Sequence, residues 1–200
     1  ISVSDGIEVY LTQGTEESLA VSYSDEKYAE RFKTTVENAV LKIYYDNKGV
    51  NWSDNHRRKL KAYVSFKTME KIAAVGGSSV KLPASINVSS LDIKCTSGAY
   101  LKGNIKASQI TVDQNSGSEV IISGSSDKII IEASSGASFK GYDFVVEYCD
   151  AKAVSGAEVK ITVEKELSAK ANSGGNIHYK GSSVIKDIDV SSGGVVKKAN

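Results

Sequence analysis

From Val75 onward the chain repeats one four-residue pattern: a glycine, a small residue, a variable residue and an apolar residue. It occurs as Gly77-Ser78-Ser79-Val80, Gly98-Ala99-Tyr100-Leu101, Gly117-Ser118-Glu119-Val120, Gly136-Ala137-Ser138-Phe139, Gly156-Ala157-Glu158-Val159, Gly174-Gly175-Asn176-Ile177 and Gly193-Gly194-Val195-Val196. The glycines are 21, 19, 19, 20, 18 and 19 residues apart, and in six of the seven copies a serine precedes the glycine. A unit this short cannot bury an apolar face alone, so the units must stack and share one core.

The residues upstream of each glycine say how they stack. Five positions before it stand Ile93, Val112, Ile131, Ala151, Ala169 and Ile188, and seven before it Leu91, Ile110, Ile129, Cys149, Leu167 and Lys186. Apolar residues two apart are the period of a strand with one face inward. Stacked coils would align equivalent positions in columns, each fully buried Val, Ile, Leu or Phe contributing about 1.5–3 kcal/mol. The expected fold is all-β: a parallel β-helix, or β-solenoid, of ~19-residue coils. Left-handed β-helices built on hexapeptides keep one strict period. The drift here from 18 to 21 fits a right-handed helix.

Residues 1–74 are expected to form a β-rich capping section and residues 75–200 the coils, within a single domain over 1–200. Gly6–Thr12, Leu19–Tyr23, Val40–Tyr45 and Lys61–Phe66 read as strands. Tyr28, Phe32 and Val36, four apart, predict one short helix within Asp25–Asn38, capped by Asp25 with Glu26 near its positive end. Asp46–Lys59 reads as a polar loop.

The charge balance, 25 Lys plus Arg against 24 Asp plus Glu, lacks the basic excess of a dedicated nucleic-acid binder. No run of 18 apolar residues could span a membrane as a helix. The cysteines, Cys95 and Cys149, fall three coils apart, about 14 Å, beyond the reach of a disulfide; both read as core residues. Two histidines, His56 and His178, are too few for a histidine metal site or triad, and no phosphate-cradling glycine loop occurs. No cofactor or metal is expected.

Two outward rows carry charge. Four positions before each glycine stand Lys94, Asp113, Glu132, Lys152, Lys170 and Asp189. Their bland reading is a ladder of pairs, Lys94 with Asp113, Glu132 with Lys152 and Lys170 with Asp189, each pair worth a few tenths of a kcal/mol. Their catalytic reading takes Asp113 and Glu132 as a carboxylate pair of a glycosidase, without the aromatic wall such a site wants. Four positions after each glycine stand Lys81, Lys102, Ile121, Lys140, Lys160, His178 and Lys197. An ordinary solvated face is one reading of that row. The sharper one makes Lys81, Lys102, Lys140, Lys160 and His178 a binding strip for an anionic glycan or cell-surface polymer, with Glu119 and Glu158 partly offsetting the lysines. Trp52, His56, Arg57 and Arg58 form a second, basic and aromatic loop that could serve a sugar, or simply be a solvated connection.

The order Gly6-Ile7-Glu8-Val9-Tyr10-Leu11-Thr12-Gln13-Gly14, Leu41-Lys42-Ile43, Ala62-Tyr63-Val64-Ser65-Phe66, Ile72–Val80, the Ser-Gly-Ala repeats and Ser173-Gly174-Gly175-Asn176-Ile177-His178-Tyr179-Lys180-Gly181 resembles the autotransporter-adhesin head (GIN) domain family of bacterial envelope proteins. That resemblance implies a pectin-lyase-like β-helix without a catalytic constellation. It also implies export to the periplasm or cell surface, with a lipid anchor upstream of Ile1 as one means of attachment, and an adhesive role. It brings no binding residues with it. The leading expectation is therefore a non-enzymatic surface module. Its alternatives are an enzyme acting on acidic polysaccharide and a structural module that self-associates through open solenoid edges.

Overall fold

The structure, a computed structural model, describes residues 1–48 and 58–199. Its strands are β1 (Ser2–Val3), β2 (Glu8–Gln13), β3 (Ser18–Tyr23), β4 (Phe32–Glu37), β5 (Val40–Tyr45), β6 (Leu60–Phe66) and β7 (Lys71–Val75), then β8 (Ser79–Thr96), β9 (Tyr100–Gln114), β10 (Glu119–Ala133), β11 (Ser138–Val154), β12 (Glu158–Asn172), β13 (Asn176–Lys180), β14 (Val184–Val190) and β15 (Val195–Lys198). A 3-10 helix, Glu26–Arg31, lies between β3 and β4. The architecture is a β-solenoid of about 7 turns with ~19-residue coils.

The inward columns form as the repeat requires. Val9, Val80, Leu101, Val120, Phe139, Val159 and Ile177 lie opposite one another on successive parallel strands, and each is 0% exposed. A second column runs Ile93, Val112, Ile131, Ala151, Ala169, Ile188. The column through Leu91 departs from expectation at its last member. A bulge beside Leu167 places Ile185 opposite it, not Lys186. An aliphatic side chain thereby extends the column at a position that is still 38% exposed, and Lys186 is left to pair with Glu166 at 3.0 Å.

At the first glycine of each repeat copy the chain turns a corner. Ser97 and Gly98 have φ of 56° and 71°, and the other five Ser-Gly pairs match them closely. The N–H two residues beyond the serine donates back across the turn, as from Ala99 to the Thr96 carbonyl at 3.2 Å. Two left-handed residues closed by that bond make a type I′-like turn. Each corner also bonds to the next: Gly98 N–H donates to Ser116 O, Gly117 to Ser135 and Gly136 to Ser155, at 3.0–3.1 Å.

The corner has more copies than the later spacing reveals. Asp5-Gly6 (φ 62° and 72°) and Gly76-Gly77 (φ 61° and 71°) adopt it too, and Gly6 N–H donates to Gly76 O at 3.1 Å. Gly6-Ile7-Glu8-Val9 is thus a copy of Gly156-Ala157-Glu158-Val159, with an isoleucine where the later copies have a small residue. The section up to residue 74 therefore supplies coils as well as a cap. Within the stack, β1 pairs with both β5 and β7, and β2 with both β6 and β8, all parallel. The first coil is inserted between one made of β5 and β6 and the one that starts with β7.

Beyond β5 and β6 the direction reverses. β4 lies antiparallel on β5, and β3 antiparallel on β6. The expected helix is shorter than its spacing suggested. Asp25 caps it, its carboxylate accepting from Lys27 N–H at 3.0 Å, but the chain is extended from Phe32 onward. Thr34, Thr35 and Val36 are β-branched and disfavour helix, and the edge of β5 offers them pairing. Tyr28 and Phe32 are buried; Val36 is 70% exposed.

Two glycines separate conformational strain from space. A Cβ on Gly136 would meet no atom within 4 Å, so Gly136→Ala adds only the left-handed backbone penalty, and denaturant unfolding should show a loss of about 1–2 kcal/mol. At Gly124 (φ +114°) a Cβ would lie 2.1 Å from the Ile105 carbonyl oxygen. Gly124→Ala should cost roughly 3 kcal/mol or more in the same measurement.

Candidate functional site

Coil length is what makes one face of the solenoid irregular. The coil beginning at Gly77 has 21 residues and that beginning at Gly136 has 20, while the two between them have 19 each. The extra residues bulge outward at one level of the coil. Pro83-Ala84-Ser85 stands against the single Asn104 of β9, and Gly141-Tyr142-Asp143 against Ile122-Ser123 of β10. Pro83, the sole proline, sits where the ladder is already broken and its missing N–H goes unnoticed. Between the bulges lies a groove of about 670 Å³, floored by Gly103, Ile121 and Ile122, with Tyr10 and Tyr142 among its walls. That volume is within the ~300–1,000 Å³ typical of small-molecule sites.

The lysine row borders this groove. Tyr10, Lys81, Lys102, Ile121, Lys140, Lys160, His178 and Lys197 are opposite one another across successive strands, so the row forms as the repeat predicted. Lys81, Lys102, Lys140 and Lys160 all line the groove. Its charge, however, is largely answered. Lys81 pairs with Glu8, Lys140 with Glu119, and Lys160 with Glu158 at 2.8 Å. Among the described residues Lys102 makes no ion pair. The offset by Glu119 and Glu158 is thus direct contact, and Glu8 adds a third pair from the first coil.

The Glu8 cluster closes one end of the groove. Its carboxylate accepts from Lys81 and, at 2.9 Å, from the Tyr10 hydroxyl; Lys61 is 3.4 Å away. Lys81 foremost holds the Glu8 carboxyl down at about 2. Lys81, Lys61 and Lys140 are in turn raised by their glutamates. Tyr10 stacks on Tyr63 with centroids 5.2 Å apart and planes 10° from parallel, and Lys81 and Lys61 lie 5.5 and 5.8 Å from the Tyr10 centroid. At the far wall the Lys180 ammonium is 5.0 Å from the Tyr142 ring centre, and burial pushes the Tyr142 phenol up.

The other candidates fare differently. Lys94 and Asp113 form the expected pair at 2.9 Å. Glu132 with Lys152, and Lys170 with Asp189, are opposite in register without an ion pair among the described residues. Trp52, His56 and Arg57 lie outside the described residues. Arg58 stacks its guanidinium 3.8 Å over Tyr45 and donates to Asn47 Oδ1 at 3.1 Å, away from the groove. Both cysteines are free and buried, as read from the repeat; burial pushes the Cys95 thiol to about 12 and raises Cys149 too, so neither is a nucleophile at neutral pH. Tyr10 and Tyr142 escaped the sequence reading. Their signals were the early Gly-x-Glu-Val copy and the two long coils.

These features define a class: a repeat-built β-solenoid with a ligand-sized groove between two lengthened coils on one face. The chain belongs to the family described as "Putative auto-transporter adhesin, head GIN domain", which matches residues 1–183. Similar folds occur in a putative adhesin from Bacteroides fragilis (TM-score 0.84, 18% identity, 99% of this chain and 91% of that one) and in one from Parabacteroides merdae (0.71, 15%, 99% and 90%). A protein from Parabacteroides distasonis described as a putative lipid binding protein is also similar (0.63, 19%, 100% and 94%). At such identities the likeness is one of fold. No curated protein matches the chain in sequence. Among the described residues no helix is long and apolar enough to cross a membrane.

Glu8 offers a test of the cluster. Its folded pKa of about 2 lies below the ordinary 4.5. It therefore stabilises the fold fully above the ordinary value and loses that effect as pH falls through the folded one. Glu8→Gln should lower the urea midpoint at pH 6, and the difference from wild type should vanish by about pH 2.

Proposed function

We propose that this chain is an exported, non-catalytic adhesion module that holds a glycan or other envelope polymer in the groove between the two bulged coils. The observation that carries this reading is the groove itself. A solenoid face would be flat if all coils were equal. Here two coils are longer at the same level, and the space between them is lined by tyrosine, aliphatic and lysine side chains. Open, mostly apolar concavities with a few placed polar groups suit extended ligands. The family's adhesive description supports export and surface display.

The enzymatic alternative would use Asp113 and Glu132, outside the groove. Asp113 is held by Lys94, and the shallow cleft beside it is about 170 Å³ and lined by Glu132, Ser134 and Lys152 with no aromatic wall. This arrangement favours a charge ladder over a carboxylate pair that cleaves sugars.

A panel of immobilised bacterial and host polysaccharides tests the proposal. Retention of the intact chain on at least one, without release of new reducing ends during a day's incubation, is the expected outcome. Steady release of oligosaccharide would replace adhesion with catalysis, and failure to be retained on any polysaccharide would remove the glycan reading.

A further inference from the structure

We propose that the groove takes an uncharged glycan chain laid along the solenoid axis, centred on Ile121 and spanning from Tyr10 to Tyr142. This rests on the glycan-binding reading above and narrows it to one ligand chemistry.

Charge is the first argument. Four lysines line the groove, but Glu8, Glu119 and Glu158 already engage three of them, and Asp143 lines the groove as a fourth carboxylate. Three of the four lining lysines are therefore already committed to carboxylates, while Lys61 on Glu8 and Lys180 beside Tyr142 keep the surroundings modestly basic. A polyanion would have to compete with existing ion pairs, each of which places its glutamate beside the incoming charge. Of the lysines that read as a polyanion track in sequence, Lys81, Lys140 and Lys160 are, once folded, members of ion pairs.

Chemistry at the centre is the second. Ile121 interrupts the row between Lys102 and Lys140, and it lies over a floor where Gly103 meets Leu82 and Ile122. Beside it Asn104 donates to the Ser123 hydroxyl at 3.0 Å. An apolar spot edged by amide, hydroxyl, ammonium and carboxylate groups matches a sugar ring, which has apolar C–H faces and a hydroxyl rim. Lys102 and Asp143 supply a donor and an acceptor for that rim. An acyl chain would seek an enclosed apolar cavity, and this groove is open with charged edges.

Length is the third. From the Tyr10 strand to the Tyr142 strand the sheet advances by four spacings, β2 to β8, β9, β10 and β11. At about 4.8 Å per spacing the two tyrosines are ~19 Å apart along the axis. That span needs several linked sugars, not one.

Isothermal titration calorimetry on the whole chain distinguishes the possibilities. The probes are gluco-, manno-, xylo- and N-acetylglucosamine oligosaccharides of one to about eight units, oligogalacturonates and heparin oligosaccharides of the same lengths, and the fluorescent fatty acid cis-parinaric acid. At least one uncharged series should bind, tightening by tenfold or more with length until the span is filled, about 1.4 kcal/mol for each tenfold step. Its affinity should change less than about twofold between low and high salt, because no net charge is neutralised. Ile121→Asp and Tyr142→Ala should each weaken it at least about tenfold, Tyr142→Trp should restore it, and all three variants should keep the wild-type melting temperature. Tighter binding of the anionic series with steep salt dependence would overturn the proposal while leaving the glycan reading intact. So would an affinity that plateaus at a single sugar, or one indifferent to Ile121 and Tyr142. Binding of cis-parinaric acid alone, or of none of the probes, would overturn both.

Discussion

The structure depends on the corner hydrogen bond between successive coils. From Gly6 to Gly174, each corner glycine donates its N–H to the carbonyl of the residue before the corner glycine of the adjacent coil. This ties turn to turn and leaves no freedom of register. In a sheet, a slip of one residue would carry every inward side chain to the surface. Fixing the corner fixes the column from Val9 to Ile177, and it fixes equally which side chains stand in rows outside. Both the core and the lysine row are consequences of that bond. The serine before each glycine occupies left-handed backbone that costs an L-residue roughly 1–2 kcal/mol. One bond across the turn and one to the neighbouring coil hold it there.

The repeat was legible because stacking converts a sequence period directly into a spatial one. Leu101, Val120, Phe139 and Val159 could be aligned by counting from their glycines, and the pairing register agrees. Legibility failed where a competing local interaction intervened. The four-residue spacing of Tyr28, Phe32 and Val36 suggested one helical face, yet β-branched neighbours and the open edge of β5 drew the second half into a strand. Lys186 was displaced by Ile185 through a bulge that counting cannot detect. Gly6-Ile7-Glu8-Val9 was hidden by its distance in sequence from the other copies, 71 residues before Gly77, although its residues are those of the repeat.

The groove was half visible for a related reason. Counting placed Lys81, Lys102, Lys140 and Lys160 in one row, but it treated unequal glycine spacings as drift. The spacings of 21 and 20 made the groove: the surplus residues had no ladder position and were pushed outward as walls. Nor could a linear reading see that Glu8, far upstream, comes to rest on Lys81. Long-range ion pairs decide the character of this face, and they depend on which coil lies beside which. In a solenoid, regularity builds the scaffold, and departures from regularity give its surface relief.

The first coil raises a question of assembly. Residues 1–13 lie inside the stack, flanked on one side by β5 and β6 and on the other by β7 and β8, so both of their neighbours come later in the chain. Synthesis or threading across a membrane from the N-terminus would deliver this rung before either surface that receives it exists. It stays without a parallel neighbour until β5 and β6, which end at Phe66, can receive it, and its other edge stays open until β7 and β8 follow. Until β7 and β8 cover it, that edge is a template on which a short extended segment from another molecule could pair first.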